Sequence, residues 1–249
     1  MALVEQSAGG YRFVPSKNTP YSGGAIALPG FEVVHATLRA PLPWREGFRF
    51  IEQHLTFLAR PLAALCAVEL RGAKQYTPEQ WLAPGSFNQE YLGLLREWGV
   101  YVEDLNPVAR TNVTPAINPP AEQALSAFSY TVPATGPAGP PTFVVAGSAE
   151  SPDVRRGETS RDAIRDKTAD VMKTIQGRLA ALGGTWDDVT DVGMYTVHEF
   201  GHLVEGTILK QIGPAANRGL RWYYCRPPID DREVEIDARA VRQDLLLGR

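Results

Sequence analysis

The run VHEFGHLVEG, residues 197–206, contains the pattern H-E-x-x-H, with His198, Glu199 and His202 at its fixed positions. On a helix this spacing places two imidazoles on one face, where they can bind zinc beside a glutamate that acts as general base. The resulting chemistry would be metal-assisted hydrolysis, as in zinc peptidases. It requires that the run be helical and that another part of the chain supply a third ligand.

The residues around the motif argue against this zinc site. Residues 192–197 are rich in β-branched and aromatic side chains, which predicts a strand that ends near His198. His202 would then begin the next helix, so the two imidazoles need not converge on one ion. Position 205 is Glu205 where the longer zinc-peptidase pattern has glycine, and no histidine follows His202. We expect no metal here. His198 stays a candidate substrate contact, and either His198 or His202 stays a candidate metal-free acid/base.

Composition and charge exclude several classes of function. The net charge of −3 and the pI of about 5.9 give no electrostatic reason to expect nucleic acid or an anionic membrane as partner. No apolar run approaches the roughly 18–20 residues that span a bilayer, and the N-terminus does not resemble a signal peptide. The two cysteines, Cys66 and Cys225, lie far apart in sequence, which favours a reducing cytoplasm.

A segment rich in proline and glycine divides the chain. The sequence YTVPATGPAGPPTF, residues 130–143, is nearly free of charge and predicts an extended linker. We therefore predict an N-terminal domain of residues 1–133, a linker of residues 134–141 and a C-terminal domain of residues 142–249.

The two halves show the same order of elements, which indicates an internal duplication. Each half is predicted to run strand, helix, strand, helix, strand, strand. The corresponding segments are the first strands 31–38 and 142–149, the first helices 46–59 and 162–182, the second strands 62–70 and 188–197, and the second helices 87–99 and 201–213. Two closing strands lie around a double proline in each half. Arg110 precedes its double proline by nine residues, and so does Arg218. The pattern predicts an α+β fold in which each unit has a mixed or antiparallel sheet backed by two helices.

Several stretches in both halves together resemble the YjgF/Rid family of enamine/imine deaminases. They are FVVAGSAES, RLAALGGTWDDVTDVGMYTV, FNQEYLGLL, PVART and VEIDARAV. The resemblance implies two tandem Rid-like units with a chorismate-mutase-like fold, and trimers of such units with active sites in the clefts between neighbours. Three chains would then form a homo-oligomer of six units. It also implies a small carboxylate substrate and neither a metal nor an organic cofactor.

The resemblance assigns roles to individual residues. Arg110 matches the arginine that binds the substrate carboxylate, Asn88 the asparagine at a helix start, and Glu235 the glutamate that positions water. Asn88 would otherwise be an N-cap, and Glu235 a solvated edge residue. Arg218 corresponds to Arg110 through the double-proline spacing, and Arg221 fits the strand alternation almost as well, so the choice between them stays open.

The first half departs from the family pattern at the place of the catalytic glutamate. Apolar residues near Leu125 occupy it, so the first unit lacks its own base. Arg110 then either serves a composite site or has a structural role. Ser148 and Cys225 are further candidate substrate contacts, with a turn-forming serine and a buried inert thiol as the alternatives.

The expected reaction is hydrolysis of an enamine or imine carboxylate to a 2-oxo acid and ammonia. Within the family, 2-aminomuconate deaminases of aromatic-amine catabolism have this chemistry. Two cationic positions would suit a dicarboxylate such as 2-aminomuconate or a substituted, for example chlorinated, relative. Repair of 2-aminoacrylate-type enamines is the next candidate reaction. The alternatives are a non-catalytic Rid-like binding module and, less favoured, an H-E-x-x-H zinc hydrolase.

Overall fold

The strands of the protein form two sheets in a computed structural model that describes residues 2–17, 19–137 and 139–248. In chain order the strands are β1 (Val4–Gln6), β2 (Tyr11–Phe13), β3 (Gly24–Ala27), β4 (Phe31–Pro43), β5 (Leu65–Arg71), β6 (Ala109–Pro115), β7 (Ala124–Pro133), β8 (Phe143–Ala149), β9 (Asp191–Tyr195), β10 (Arg221–Tyr223), β11 (Cys225–Arg226), β12 (Glu235–Ala240) and β13 (Gln243–Leu247).

The helices lie in the connections between strands. They are α1 (Trp44–Phe57), α2 (Pro78–Trp81), α3 (Phe87–Glu97), α4 (Arg161–Leu182), α5 (Gly201–Leu203) and α6 (Lys210–Ile212). A π-helical stretch, Val204–Leu209, joins α5 to α6, so the predicted helix 201–213 is present with an irregular middle. None of the helices in the described ranges has the length and hydropathy of a membrane-spanning segment.

Both sheets are mixed, as predicted. One runs β11-β6-β5-β7-β4-β13 and the other runs β1-β2-β3-β8-β12-β9-β10. The pairs β5–β6, β4–β13 and β9–β10 are parallel, and the remaining pairs are antiparallel. The α+β prediction is confirmed. The repeated order of strands and helices is β4-α1-β5-α3-β6-β7 in the first half. In the second half it is β8-α4-β9, followed by the helical segment 201–212 and by β12.

Strands are exchanged between the two halves of the chain. The N-terminal strands β1, β2 and β3 extend the sheet of the second half, whereas β11 and β13 extend the sheet of the first half. The sheets therefore do not follow the predicted units 1–133 and 142–249. The division into two domains at residues 134–141 remains a prediction.

Helix ends follow ordinary capping chemistry. The side-chain oxygen of Ser86 accepts the backbone N–H of Gln89 at the start of α3, and Ser160 accepts that of Ala163 at the start of α4. Helix α4 ends at Gly183, which has a φ of 78°. These caps fix where α3 and α4 begin, and both helices carry residues of the candidate site.

Apolar side chains form three main layers. Helices α1 and α3 pack on one sheet and α4 with the 201–212 segment packs on the other, each through its own cluster. A third cluster joins the two sheets face to face and includes Phe13, Cys66, Ala109 and Val144. Several charged side chains lie at this same junction, where their burial is costly unless they are partnered or functional.

Candidate active site

Arg110, in β6, is the most deeply buried cation of the candidate site, with 2% of its surface exposed. Its Nη1 donates to Oδ1 of Asn88 at 2.8 Å, and the rings of Tyr21, Trp81 and Tyr91 lie 5.0–5.2 Å from its Cζ. Its Nε and Nη2 are buried without a hydrogen-bond partner among the described residues. A buried guanidinium with two unused donors is suited to receive an anion such as a carboxylate.

Asn88 connects Arg110 to the segment that covers it. Its amide nitrogen donates to the carbonyl of Trp81 while its amide oxygen accepts from Arg110. Because Ser86 is the N-cap of α3, the alternative interpretation of Asn88 as a cap is wrong. The side chain of Asn88 instead fixes the orientation of the guanidinium.

Glu235 begins β12 and is 4% exposed. Burial and the neighbouring Asp237 raise its pKa to about 8, outweighing the opposite effects of the Asn112 backbone N–H and of the Arg110 and Arg178 guanidinium groups. A carboxyl group with a pKa near neutrality can both give and take a proton at physiological pH. Glu235 therefore has the properties of a general acid/base.

Gly147, in β8, makes room for the Glu235 carboxyl group. A Cβ at this position would overlap Oε1 of Glu235 and would lie 3.1 Å from Cγ2 of Thr111. The Gly147 N–H donates to the Thr111 hydroxyl at 3.2 Å. This hydrogen bond joins β6 to β8 and so brings Arg110 of one sheet into the electrostatic neighbourhood of Glu235 in the other.

Asp237 is a second carboxyl group on the same face of β12, two residues after Glu235. It accepts hydrogen bonds from the hydroxyl groups of Thr111 at 2.6 Å and Tyr195 at 3.0 Å. Burial, and next the charge of Glu69, raise its pKa to about 7. Asp237 was not predicted, although the period of two in a strand offered a signal.

Arg178, in α4, is a further cation that the sequence analysis missed. Its Nη1 donates to the carbonyls of Ala146 at 2.8 Å and Gly147 at 3.1 Å. Its charge interacts with Tyr21 and Glu235, and burial lowers its pKa. The signal was present, because Arg178 lies three residues after Ile175 on the side of α4 that faces the sheet.

Tyr21 lies in the loop between β2 and β3, among proline, serine and glycine residues. Its phenol interacts electrostatically with Arg178, Arg110 and Glu235, and burial raises its pKa. Nothing in the local sequence pattern distinguishes Tyr21 from an ordinary loop residue.

Cys225, in β11, lies close enough to Glu235 for the two groups to interact. It packs with Val113 and Tyr195, and burial raises the pKa of its thiol. A buried, protonated thiol is a poor nucleophile, so the structure favours a packing role beside the site.

Neither Arg218 nor Arg221 meets the expectation of a second cation in this site. Arg218 is exposed at the end of a 3-10 turn, Gly213–Arg218, and its Nη1 donates to the carbonyl of Val189 at 2.9 Å. The Nε of Arg221 lies 3.0 Å from Oδ1 of Asp191 in a half-exposed ion pair. Both guanidinium groups are engaged away from Glu235.

Ser148 also lies apart from Glu235. It pairs with Ile236 across the β8–β12 ladder, so its side chain shares the face that Ile236 presents to the helices. Glu235 and Gly147 are on the opposite face. The period of two along a strand thus separates Ser148 from the site.

The H-E-x-x-H run is not a continuous helix. Residues 198–200 precede α5, and Nε2 of His198 lies 2.6 Å from Oε2 of Glu233. His202 pairs instead with Glu199, at 3.2 Å. The described residues contain no group of three histidine, cysteine or acidic side chains placed to hold a metal ion. The run therefore lacks the helical geometry of a zinc peptidase, and His198 braces a loop.

The comparisons with known proteins bear on the whole chain. The family model described as 2-aminomuconate deaminase CnbZ matches residues 3–245. A 2-amino-5-chloromuconate deaminase of Comamonas testosteroni is 38% identical over 250 residues, which cover 96% of this chain and 97% of the relative.

Among solved structures, the YjgF gene product of E. coli is 17% identical, covers 44% of this chain and 91% of its own, and has a TM-score of 0.28. A chorismatase is 15% identical, covers 92% of this chain and 80% of its own, and has a TM-score of 0.45. The match to the family model and the identity with the Comamonas relative both extend over nearly the whole sequence. On these grounds the chain belongs to the 2-aminomuconate deaminase CnbZ family.

Proposed function

We propose that this chain is a deaminase that hydrolyses 2-aminomuconate, or a substituted relative such as a chlorinated 2-aminomuconate, to the 2-oxo acid and ammonia. The observation that carries the proposal is the burial of Arg110, which has two unused guanidinium donors, within electrostatic reach of Glu235, whose pKa is raised to about 8. The name of the Comamonas relative supports the same substrate class.

Arg110 is proposed to bind one substrate carboxylate. The planar fork of a guanidinium matches the two oxygens of a carboxylate, and its unused Nε and Nη2 supply the two donors. Asn88 holds Nη1 and so fixes the plane of the fork. The carboxylate would compensate a buried charge that is otherwise incompletely paired.

Glu235 is proposed to move the protons. Its carboxyl group first protonates the enamine carbon, which converts C=C–NH2 into the C=NH2+ iminium ion. The resulting carboxylate then takes a proton from water as the water oxygen bonds to the iminium carbon and the C=N electron pair moves to nitrogen, which gives a neutral carbinolamine. Glu235 returns that proton to nitrogen. The C–N bond then breaks with its electron pair leaving on ammonia, and the hydroxyl oxygen gives its proton back to the Glu235 carboxylate as it forms the carbonyl.

This sequence consumes one water and releases one ammonia, so the enzyme is proposed to be a hydrolase acting on C–N bonds. Proton transfer and a fixed cation suffice because the enamine tautomerises readily. We therefore propose that neither a metal ion nor an organic cofactor takes part.

Substrate entry requires movement of the residues that cover Arg110. The cavity beside Arg110, Thr111 and Asp237 has a volume of about 20 Å³, which suits a water molecule but not a six-carbon acid. Trp81 ends the short helix α2, whose other residues are exposed. We infer that the segment carrying Trp81 opens, and slower amide hydrogen exchange in residues 72–86 upon adding muconate would test this.

Two further expectations from the sequence stay part of the proposal. One is a trimer of two-domain chains, which light scattering on the purified protein tests directly. The other is a cytoplasmic location, which agrees with the buried, unpaired state of Cys66 and Cys225. Neither nucleic acid nor a membrane is proposed as a partner.

The decisive experiment measures ammonia release from freshly generated 2-aminomuconate, with and without EDTA. The Arg110→Met and Glu235→Gln variants should lose turnover, whereas the matched control Arg221→Met, in a half-exposed ion pair, should keep it. Unchanged turnover in both site variants would refute the residue assignment. EDTA-sensitive turnover would refute metal independence, and no turnover on any enamine substrate would favour the binding-module alternative.

A further inference from the structure

A dicarboxylate substrate has a second anionic end that Arg110 alone cannot pair. The two cations expected for that end, Arg218 and Arg221, are engaged elsewhere. Arg178, in helix α4, is a second cation whose charge interacts with Glu235. The question is whether Arg178 is placed to receive a ligand or only braces the sheet.

The hydrogen bonds between Arg178 and the sheet use only part of its guanidinium group. Both hydrogen bonds to the carbonyls of Ala146 and Gly147 use Nη1, so Nε and Nη2 are not used by them. Two glycines lie beside the group: the carbonyl of Gly147 accepts from Nη1, and a Cβ on Gly23 would lie 3.6 Å from Nε of Arg178. A cation fixed by carbonyls beside side-chain-free positions resembles a prepared anion contact.

Charge balance supports the same conclusion. Arg110 and Arg178 contribute two positive charges, and both interact with Glu235 and Tyr21. Burial raises the pKa of Glu235 to about 8 and that of Asp237 to about 7, so at neutral pH these carboxyl groups carry less than two full negative charges. Glu235 therefore neutralises Arg110 and Arg178 incompletely at neutral pH, which leaves both guanidinium groups able to bind an anion.

We propose that Arg178 binds the second carboxylate of the substrate and thereby makes the site selective for dicarboxylates over monocarboxylates. This inference rests on the proposed function. Arg110 and Arg178 come from different halves of the chain, so selectivity depends on both halves.

A matched pair of ligands tests the assignment without turnover. Muconate (hexa-2,4-dienedioate) and sorbate (hexa-2,4-dienoate) share a six-carbon diene and differ in the second carboxylate. Calorimetry should give tighter binding of muconate to the unmodified protein. Arg178→Met should lower the affinity for muconate about ten- to hundredfold, which is the range for losing a hydrogen bond to a charged group. It should lower the affinity for sorbate by about threefold at most.

The control is Arg165→Met, which removes an exposed arginine of the same helix that pairs with Asp162. It should leave both affinities unchanged. Arg178→Lys keeps the charge without the fork and should restore part of the muconate preference. Circular dichroism and thermal melting confirm that each variant is folded before its affinities are compared.

The outcomes separate this inference from the proposed function. Equal weakening of muconate and sorbate in Arg178→Met would show a structural role and overturn the inference, as would equal binding of both ligands by the unmodified protein. If Arg178→Met selectively lost muconate binding and the unmodified protein released no ammonia from 2-aminomuconate, the inference would be supported and the proposed reaction refuted. If the unmodified protein released ammonia and Arg178→Met kept its preference for muconate, the proposed reaction would be supported and the inference refuted.

Discussion

The substitution Gly147→Ala probes the position of the Glu235 carboxyl group by adding a single methyl group. The new Cβ would overlap Oε1 of Glu235 and would lie 3.1 Å from both Cδ of Glu235 and Cγ2 of Thr111. Oε1 must move by about 1 Å to restore an ordinary van der Waals distance. Because Oε1 is the end of a flexible side chain, we expect the fold to accommodate the methyl group with little loss of stability.

The expected cost falls on catalysis. A displacement of about 1 Å at a reacting group can lower the rate about a hundredfold. We therefore predict that kcat for ammonia release from 2-aminomuconate falls about a hundredfold in Gly147→Ala, while the melting temperature changes by only a few degrees. KM should change less, since Arg110 is not displaced.

A matched control is Gly177→Ala, in α4, where an added Cβ meets no atom within 4 Å. It should keep full activity. If Gly147→Ala kept kcat within about threefold of the unmodified enzyme while remaining folded, the Glu235 carboxyl group would not be the reacting acid/base. If instead Gly147→Ala unfolded the protein, the premise that Glu235 yields to the methyl group would be wrong.

Further predictions concern pH, charge and metal. Burial raises the folded-state pKa of Glu235 from 4.5 to about 8, so its proton is bound more tightly in the folded state. The free energy of unfolding should therefore fall as pH rises from about 5 to about 8. In urea denaturation this decrease should be smaller by roughly 3–5 kcal/mol in Glu235→Gln than in the unmodified protein. Arg110→Met should lower kcat/KM about a hundredfold or more yet raise ligand-free stability by about 1–3 kcal/mol, because it removes a buried, incompletely paired charge; a loss of stability would indicate a structural role. EDTA treatment and His202→Ala should each leave turnover unchanged, since His202 pairs only with exposed groups; a loss that zinc restores would contradict the metal-free mechanism.

The elements of the repeat could be predicted because their signals are local. Helix α4 has apolar residues at helical spacing with Ser160 before it and Gly183 after it, and the predicted range 162–182 nearly coincides with Arg161–Leu182. Arg110, Asn88 and Glu235 were found because short stretches around them resemble a known family. Sequence pattern and family resemblance thus reached the central part of the candidate site.

The exchange of strands could not be predicted from the same signals. Strands β1 and β2 have three residues each, too few to establish a period of two. They pair with each other and with β3, and it is β3 that joins them to the distant strand β8. Pairing over such a distance depends on the assembled core rather than on local pattern.

Arg218 shows where spacing misleads. The nine-residue interval to the double proline matches that of Arg110, but the intervening backbone differs. Gly213 and Gly219 both have positive φ values, at 55° and 73°, and they bound a 3-10 turn that delays the strand until Arg221. Equal spacing in the chain therefore places Arg218 on a turn and Arg110 within a strand.

The duplicated halves have diverged in complementary ways. The first half keeps the buried cation Arg110, while Leu125 stands near the place of a catalytic glutamate and packs where a Cβ on Gly47 would overlap it. The second half keeps Glu235, while its corresponding arginine, Arg218, is exposed. On the proposed mechanism, one combination of the halves supplies a buried cation and an acid together. The reverse combination would bring Leu125 and Arg218 together and would supply neither group.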